Sequence, residues 1–127
     1  MEERIEFELK VLRQHYPDLR YENRWVLVPR YMMPDGWNAN RIDTSFLIRD
    51  GFPGVSPYGI YVPAGLRFNG ELPSNFAEVA KTQPPFPGKW GMFSWEAEQW
   101  FATADVISGH NLLTWVRGFD KRFREGK

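Results

Sequence analysis

The stretch "MPDGWNANRIDTSFLIRDGFPGVSPYGIYVP", residues 33–63, decides the fold. Within it, "RIDTSFLIRD" places Ile42, Thr44, Phe46 and Ile48 on one face and Asp43, Ser45, Leu47 and Arg49 on the other, the alternation of a half-buried strand. A further strand follows in "YGIYVP", which is rich in β-branched and aromatic residues. Upstream, "RWVLVPR" is a third apolar run bounded by charge and proline. Between it and the alternating strand lies Pro34-Asp35-Gly36, where proline pre-sets one turn dihedral and glycine accepts a positive one, so the two strands fold back as neighbours.

Outward from this core, the pattern changes period. In the first 23 residues Ile5, Leu9, Leu12 and Tyr16 recur every three or four positions, one stripe of an amphipathic helix that Pro17 ends. Glu6 and Lys10 stand at i,i+4 on its outer side, and its charges read as a solvated face with no function. From Pro63 to about Phe93, prolines and glycines interrupt every candidate element, so a long ordered loop is expected. The chain closes on a helix with Ser108 as its expected cap and Leu112, Val116, Phe119 and Phe123 as its buried stripe. Gly118 inside that helix costs about 1 kcal/mol against alanine, which suggests that another element approaches closely there. The order predicts an α+β fold: an amino-terminal helix on an antiparallel meander, a long irregular flap and a carboxy-terminal helix.

Composition bounds the function. The 127 residues are expected to form a single domain, 1–127, and ten Phe, six Trp and five Tyr provide ample apolar surface for one core. Sixteen basic and sixteen acidic residues leave no net charge, so no global field favours nucleic acid or an anionic membrane as a partner. The charged "MEERIEFELK" is unlike a signal peptide and no apolar run has the length to cross a bilayer, so a cytoplasmic location is expected. Cysteine is absent, which removes disulfides, thiolate metal sites and thiol nucleophiles together.

Few residues offer chemistry. His15 and His110 are the only imidazoles and sit on different predicted helices, so no metal is expected. Phosphate-cradling glycine loops are missing, and no cofactor is expected. Glu96, Glu98 and Asp105 are carboxylates without a specific spacing, and read more simply as the wet side of a packed segment. The segment "KWGMFSWEAEQWFAT", residues 89–103, is the most distinctive: Trp90, Trp95 and Trp100 fall five apart around one hydroxyl, Ser94, with Phe93 beside it. No G-x-S-x-G turn surrounds that serine. Tryptophans in such a run are more often core than ligand platform.

One constellation points to a family. Gly36-Trp37-Asn38, the alternating strand, Phe52-Pro53 and Pro57, and then an aromatic strand follow in an order that resembles the ubiquitin-conjugating (UBC) superfamily. With "GKWGMFSW" and Trp100 downstream, roughly residues 20 to 120 are similar to a bacterial branch labelled family E. The resemblance implies a meander of four strands, one more than the three read from pattern. It also implies an active-site flap over residues 63–93, with the usual cysteine position near Met92 to Ser94, and gene neighbours encoding a ubiquitin-like protein and an activating-type enzyme. This chain has no cysteine there, so thioester transfer is excluded. The expected function is therefore a non-catalytic adaptor that binds a ubiquitin-like protein or its activating enzyme through Trp90, Phe93, Trp95 and Trp100. Two alternatives are a transferase with Ser94 as oxyester carrier and His110 as base, and a small-ligand or carbohydrate binder using the tryptophans.

Overall fold

The computed structural model describes residues 2–127. Helix α1 (Glu2–His15) buries Ile5, Leu9 and Leu12, the stripe the spacing predicts, with Glu2 and Glu3 at its amino end and Arg13 and His15 at its carboxy end, each favourable to the helix dipole. One charge departs from the solvated face expected of this helix. Glu8 is 2% exposed, and its carboxylate accepts from Arg4 Nε at 2.6 Å and from the Leu112 amide at 2.6 Å. The Leu112 N–H is an orphan donor of a helix start, and Glu8 leaves the solvated face because it is the acceptor that donor finds. The ion pair on α1 is thus Arg4–Glu8.

Six antiparallel strands form one sheet in the order β1-β2-β3-β4-β6-β5. The longest ladder joins β2 (Trp25–Met32) to β3 (Arg41–Leu47), from Trp25↔Leu47 to Met32↔Arg41. Its register slips between Val28 and Tyr31, where Pro29 has no amide to donate and Arg30 adopts φ 54. The Arg30 amide turns instead to Asp43 Oδ1 at 3.1 Å. A strand with weak sequence signal, β1 (Arg20–Glu22), precedes β2 through Asn23 and Arg24, both at positive φ as a tight two-residue hairpin requires. Strand β4 (Ile60–Pro63) lies where its composition placed it.

The sheet is wider than the three to four strands expected, because the proline- and glycine-rich segment is not wholly irregular. It contains β5 (Phe76–Ala77) and β6 (Trp90–Phe93), and β6 is an interior strand between β4 and β5. Gly91 permits this, since a Cβ there would stand 2.6 Å from the Ala77 carbonyl oxygen. Glycine reads as punctuation in sequence; here it admits a neighbouring strand.

Both faces of the sheet are covered. Val26, Val28, Phe46, Ile60, Val62 and Phe93 pack with α1 and the carboxy-terminal helices in the main core. On the other face Trp25, Leu27 and Trp90 form a second cluster under Phe86. The loop carrying Phe86 is pinned by Gln83, whose side chain accepts from the Trp90 amide and donates to the Trp90 carbonyl, each at 2.9 Å. Among the described residues, no helix is long and apolar enough to cross a membrane.

The single carboxy-terminal helix expected from the stripe is two, α2 (Leu112–Arg117) and α3 (Phe119–Glu125), interrupted at Gly118. Its cap is Asn111 rather than Ser108: the Asn111 side chain accepts from the Thr114 amide while Thr114 Oγ1 accepts from the Asn111 amide, a closed capping box. Ser108 is drawn away by Asp105, to which its hydroxyl donates at 2.6 Å. Close approach at Gly118 is observed, because a Cβ there would meet the Trp95 ring at 2.9 Å.

Two outcomes are expected from this packing. Gly118→Ala lowers stability by about 1 kcal/mol in urea unfolding, overpacking outweighing the gain in helix propensity, and the loss disappears in a Trp95→Phe background. Glu8→Ala costs about 3–5 kcal/mol, because it leaves the Arg4 guanidinium without its counter-ion and the Leu112 amide without its acceptor, while Glu8→Gln costs less.

Candidate functional site

Strand β6 delivers the chain directly to Ser94, whose amide donates to the Asn75 carbonyl at 2.8 Å and so continues the β5 pairing. The residue is exposed. Among the described residues its hydroxyl makes no hydrogen bond, and none joins it to His110. His110 is engaged elsewhere: its Nδ1 accepts from the Phe101 amide at 2.9 Å, its own amide donates to the Phe101 carbonyl at 3.0 Å, and its ring stacks on Trp100 at 5.8 Å. A serine nucleophile needs a base within about 2.6–3.2 Å of its oxygen. The imidazole instead closes the base of the loop from Phe101 to His110.

The aromatic residues of this segment divide into two pairs. Trp90 and Phe93 point to opposite faces of the sheet and are buried, Trp90 in the second cluster and Phe93 in the main core. Neither ring offers more than a sliver to a partner. Trp95 and Trp100 are half-buried. Trp95 packs on Trp115 at 5.2 Å and on Phe119 at 6.3 Å. Trp100 lies against Phe52 and donates its indole N–H to the Pro53 carbonyl at 2.7 Å. The tryptophan array is a set of braces.

The motif residues serve the same framework. Gly36 has φ 102, and a Cβ there would meet Phe68 at 2.3 Å. Trp37 is buried and donates its indole N–H to the Phe123 carbonyl at 2.9 Å, tying the β2–β3 connection to α3. Asn38 bridges the same connection to the chain beyond β4, donating to the Gly65 carbonyl at 3.0 Å and accepting from the Arg67 amide at 2.8 Å. Phe52 and Pro57 are buried, Pro53 is half-buried, and the Phe52–Pro53 peptide is cis.

The carboxylates are dispersed over separate tasks. Glu98 pairs with Lys121, Glu96 is exposed, and Asp105 caps its own loop by accepting from Ser108 Oγ and from the Ile107 amide. Those two bonds hold the Asp105 carboxyl below the usual carboxylate range. No group of three or more metal-ligating side chains is brought together among the described residues.

What the sequence did not disclose is the surface of the loop between Phe101 and His110. Phe101 is 67% exposed and Ile107 76%. They stand on backbone held from several sides: Arg4 Nη1 donates to the Thr103 carbonyl at 2.6 Å, and Asn111 Nδ2 to the Val106 carbonyl at 2.9 Å. A residue's exposure within irregular backbone follows no period, so no spacing could have marked these two. No family model, no curated protein and no solved structure matches this chain.

Trp100→Phe keeps the ring contact and removes the indole N–H. The expected result is a loss of about 1 kcal/mol in stability, with faster hydrogen exchange at the Phe101 and His110 amides than at the β2–β3 ladder.

Proposed function

We propose that this chain is a UBC-fold docking protein of a bacterial ubiquitin-like modification system, a non-catalytic adaptor for a ubiquitin-like protein or its activating-type enzyme. The observation that carries the reading is a contrast within the segment that follows β6: the Ser94 hydroxyl is exposed without a base, while a braced loop further along the chain presents Phe101 and Ile107. The order of an amino-terminal helix, a meander and carboxy-terminal helices agrees with it, as does a chain without a thiol. Pre-ordered apolar side chains on a fixed backbone bind at small entropic cost, and aromatic anchors of this kind dominate interface energetics.

The second reading is a transferase that carries an oxyester on Ser94. Its support is the exposure of that hydroxyl at the end of β6, and it requires a partner to supply the base. A sugar platform of tryptophans has less support, since Trp90 is buried and Trp95 and Trp100 face other aromatic rings.

The two main readings separate when the chain is mixed with a bacterial ubiquitin-like protein of this kind, its activating-type enzyme and ATP. The adaptor gives a complex on a sizing column with no mass adduct; it survives Ser94→Ala and weakens at least tenfold in Phe101→Asp with Ile107→Asp. An adduct that resists thiols, is released by mild base and vanishes in Ser94→Ala would establish the transferase instead.

A further inference from the structure

A cleft of about 690 Å³ opens at the end of the sheet where β2 ends and β3 begins, opposite the end at which β6 delivers Ser94. Its walls are the carboxy end of α1 with the turn that follows, the end of β2 from Pro29 to Met32, the Met33-Pro34-Asp35 turn, the first residue of β3, and Asp120 and Arg124 of α3. Its size is that of a small-molecule site. The apolar surface comes from Pro17, Pro29, Met32 and Pro34, and Met32 is 63% exposed although it ends a strand.

The charges that face this space are not equally free. Three arginines, Arg30, Arg41 and Arg124, oppose three aspartates, Asp18, Asp35 and Asp120, with His15 at the rim. Asp18 is paired with Arg30, and Asp120 accepts from the Tyr31 hydroxyl at 2.6 Å. Arg41 and Arg124 form no ion pair and donate no side-chain hydrogen bond among the described residues. Asp120 keeps its charge while accepting from the neutral Tyr31 hydroxyl, so setting aside the Arg30–Asp18 pair leaves Arg41 and Arg124 facing Asp35 and Asp120. The two arginines are the cation donors with no side-chain partner of their own among the described residues. Tyr16 adds a hydroxyl with no bonded partner among the described residues; a phenol is a donor at neutral pH, and burial raises its pKa further.

We propose that this cleft binds a small organic anion, with its body against Pro29, Met32 and Pro34 and its carboxylate or phosphate engaged by Arg41 and Arg124, the Tyr16 hydroxyl donating alongside. Arginine suits both anions because its planar fork matches either group of oxygens. The site shares no residue with the Ser94 segment, so it stands whether or not the adaptor reading does.

The test is an NMR titration of the full chain with phenyl phosphate, benzoate and inorganic phosphate, read at backbone amides and methionine methyls. Saturable shifts confined to residues 15–18, 29–35, 41 and 120–124 are expected with at least one aromatic anion, and the tighter of the two identifies the preferred group. Inorganic phosphate is expected to bind at least tenfold more weakly. Arg41→Gln with Arg124→Gln, both exposed positions whose folding the same spectrum verifies, is expected to weaken binding tenfold or more. Absence of saturable shifts in the cleft, equal binding of inorganic phosphate, or a smaller loss in the double variant overturns the proposal.

Discussion

The buried carboxylate of Glu8 is the contact on which the helical layer depends. It sits inside α1, holds Arg4 one turn away, and caps the first amide of α2, more than a hundred residues downstream. A charge at this depth is tolerated only where its carboxylate finds donors, and here it takes the Arg4 Nε–H and the Leu112 amide, the latter an orphan of the helix start. The same Arg4 reaches on to the Thr103 carbonyl. One acidic side chain thereby sets α1 against α2 and fixes the loop between Phe101 and His110 relative to both.

The sheet beneath has two faces to cover, and the chain covers them differently. Helices from its two ends cover one face, and a short proline-flanked loop anchored by Gln83 and Phe86 covers the other. The aromatic wealth of the sequence goes largely into this double burial. Trp37, Phe93 and Phe123 meet edge to face, as do Phe46, Trp115 and Phe119, which is the arrangement ring quadrupoles favour. Arg122 enters the same core, its guanidinium 4.4 Å from the Phe93 ring centroid and its N–H groups on the Ser74 and Gly126 carbonyls. Burial lowers its pKa against the opposing pull of Glu125, and those carbonyls and the ring face take the place of water.

This packing leaves the surface near Ser94 with little machinery of its own. The imidazole that reactivity would require is spent on closing a loop, and the tryptophans brace one another or the Phe52–Pro53 turn. What remains presented is apolar and fixed, Phe101 and Ile107, a combination suited to contact with another protein more than to bond-making. At the far end of the sheet the balance differs, with uncommitted arginines over prolines and Met32.

The sequence by itself determined the elements whose signal is periodic and local. The α1 stripe of Ile5, Leu9 and Leu12, the alternation of β3, the turn at Gly36 and the crowding at Gly118 all follow from spacing or from one residue's backbone chemistry. Tertiary structure alone decided the rest. Three-residue β1 and two-residue β5 are too short to carry a period, and β6 is masked by the glycine that lets Ala77 approach. Ser108 and Asn111 are both good caps by type, and only the pull of Asp105 separates them. Glu8 looks like any charge on a helix surface until Leu112 arrives from the other end of the chain. The roles of Ser94, His110 and the tryptophans were equally beyond spacing, because a side chain's partner is a property of distance in space, which the order of residues does not contain.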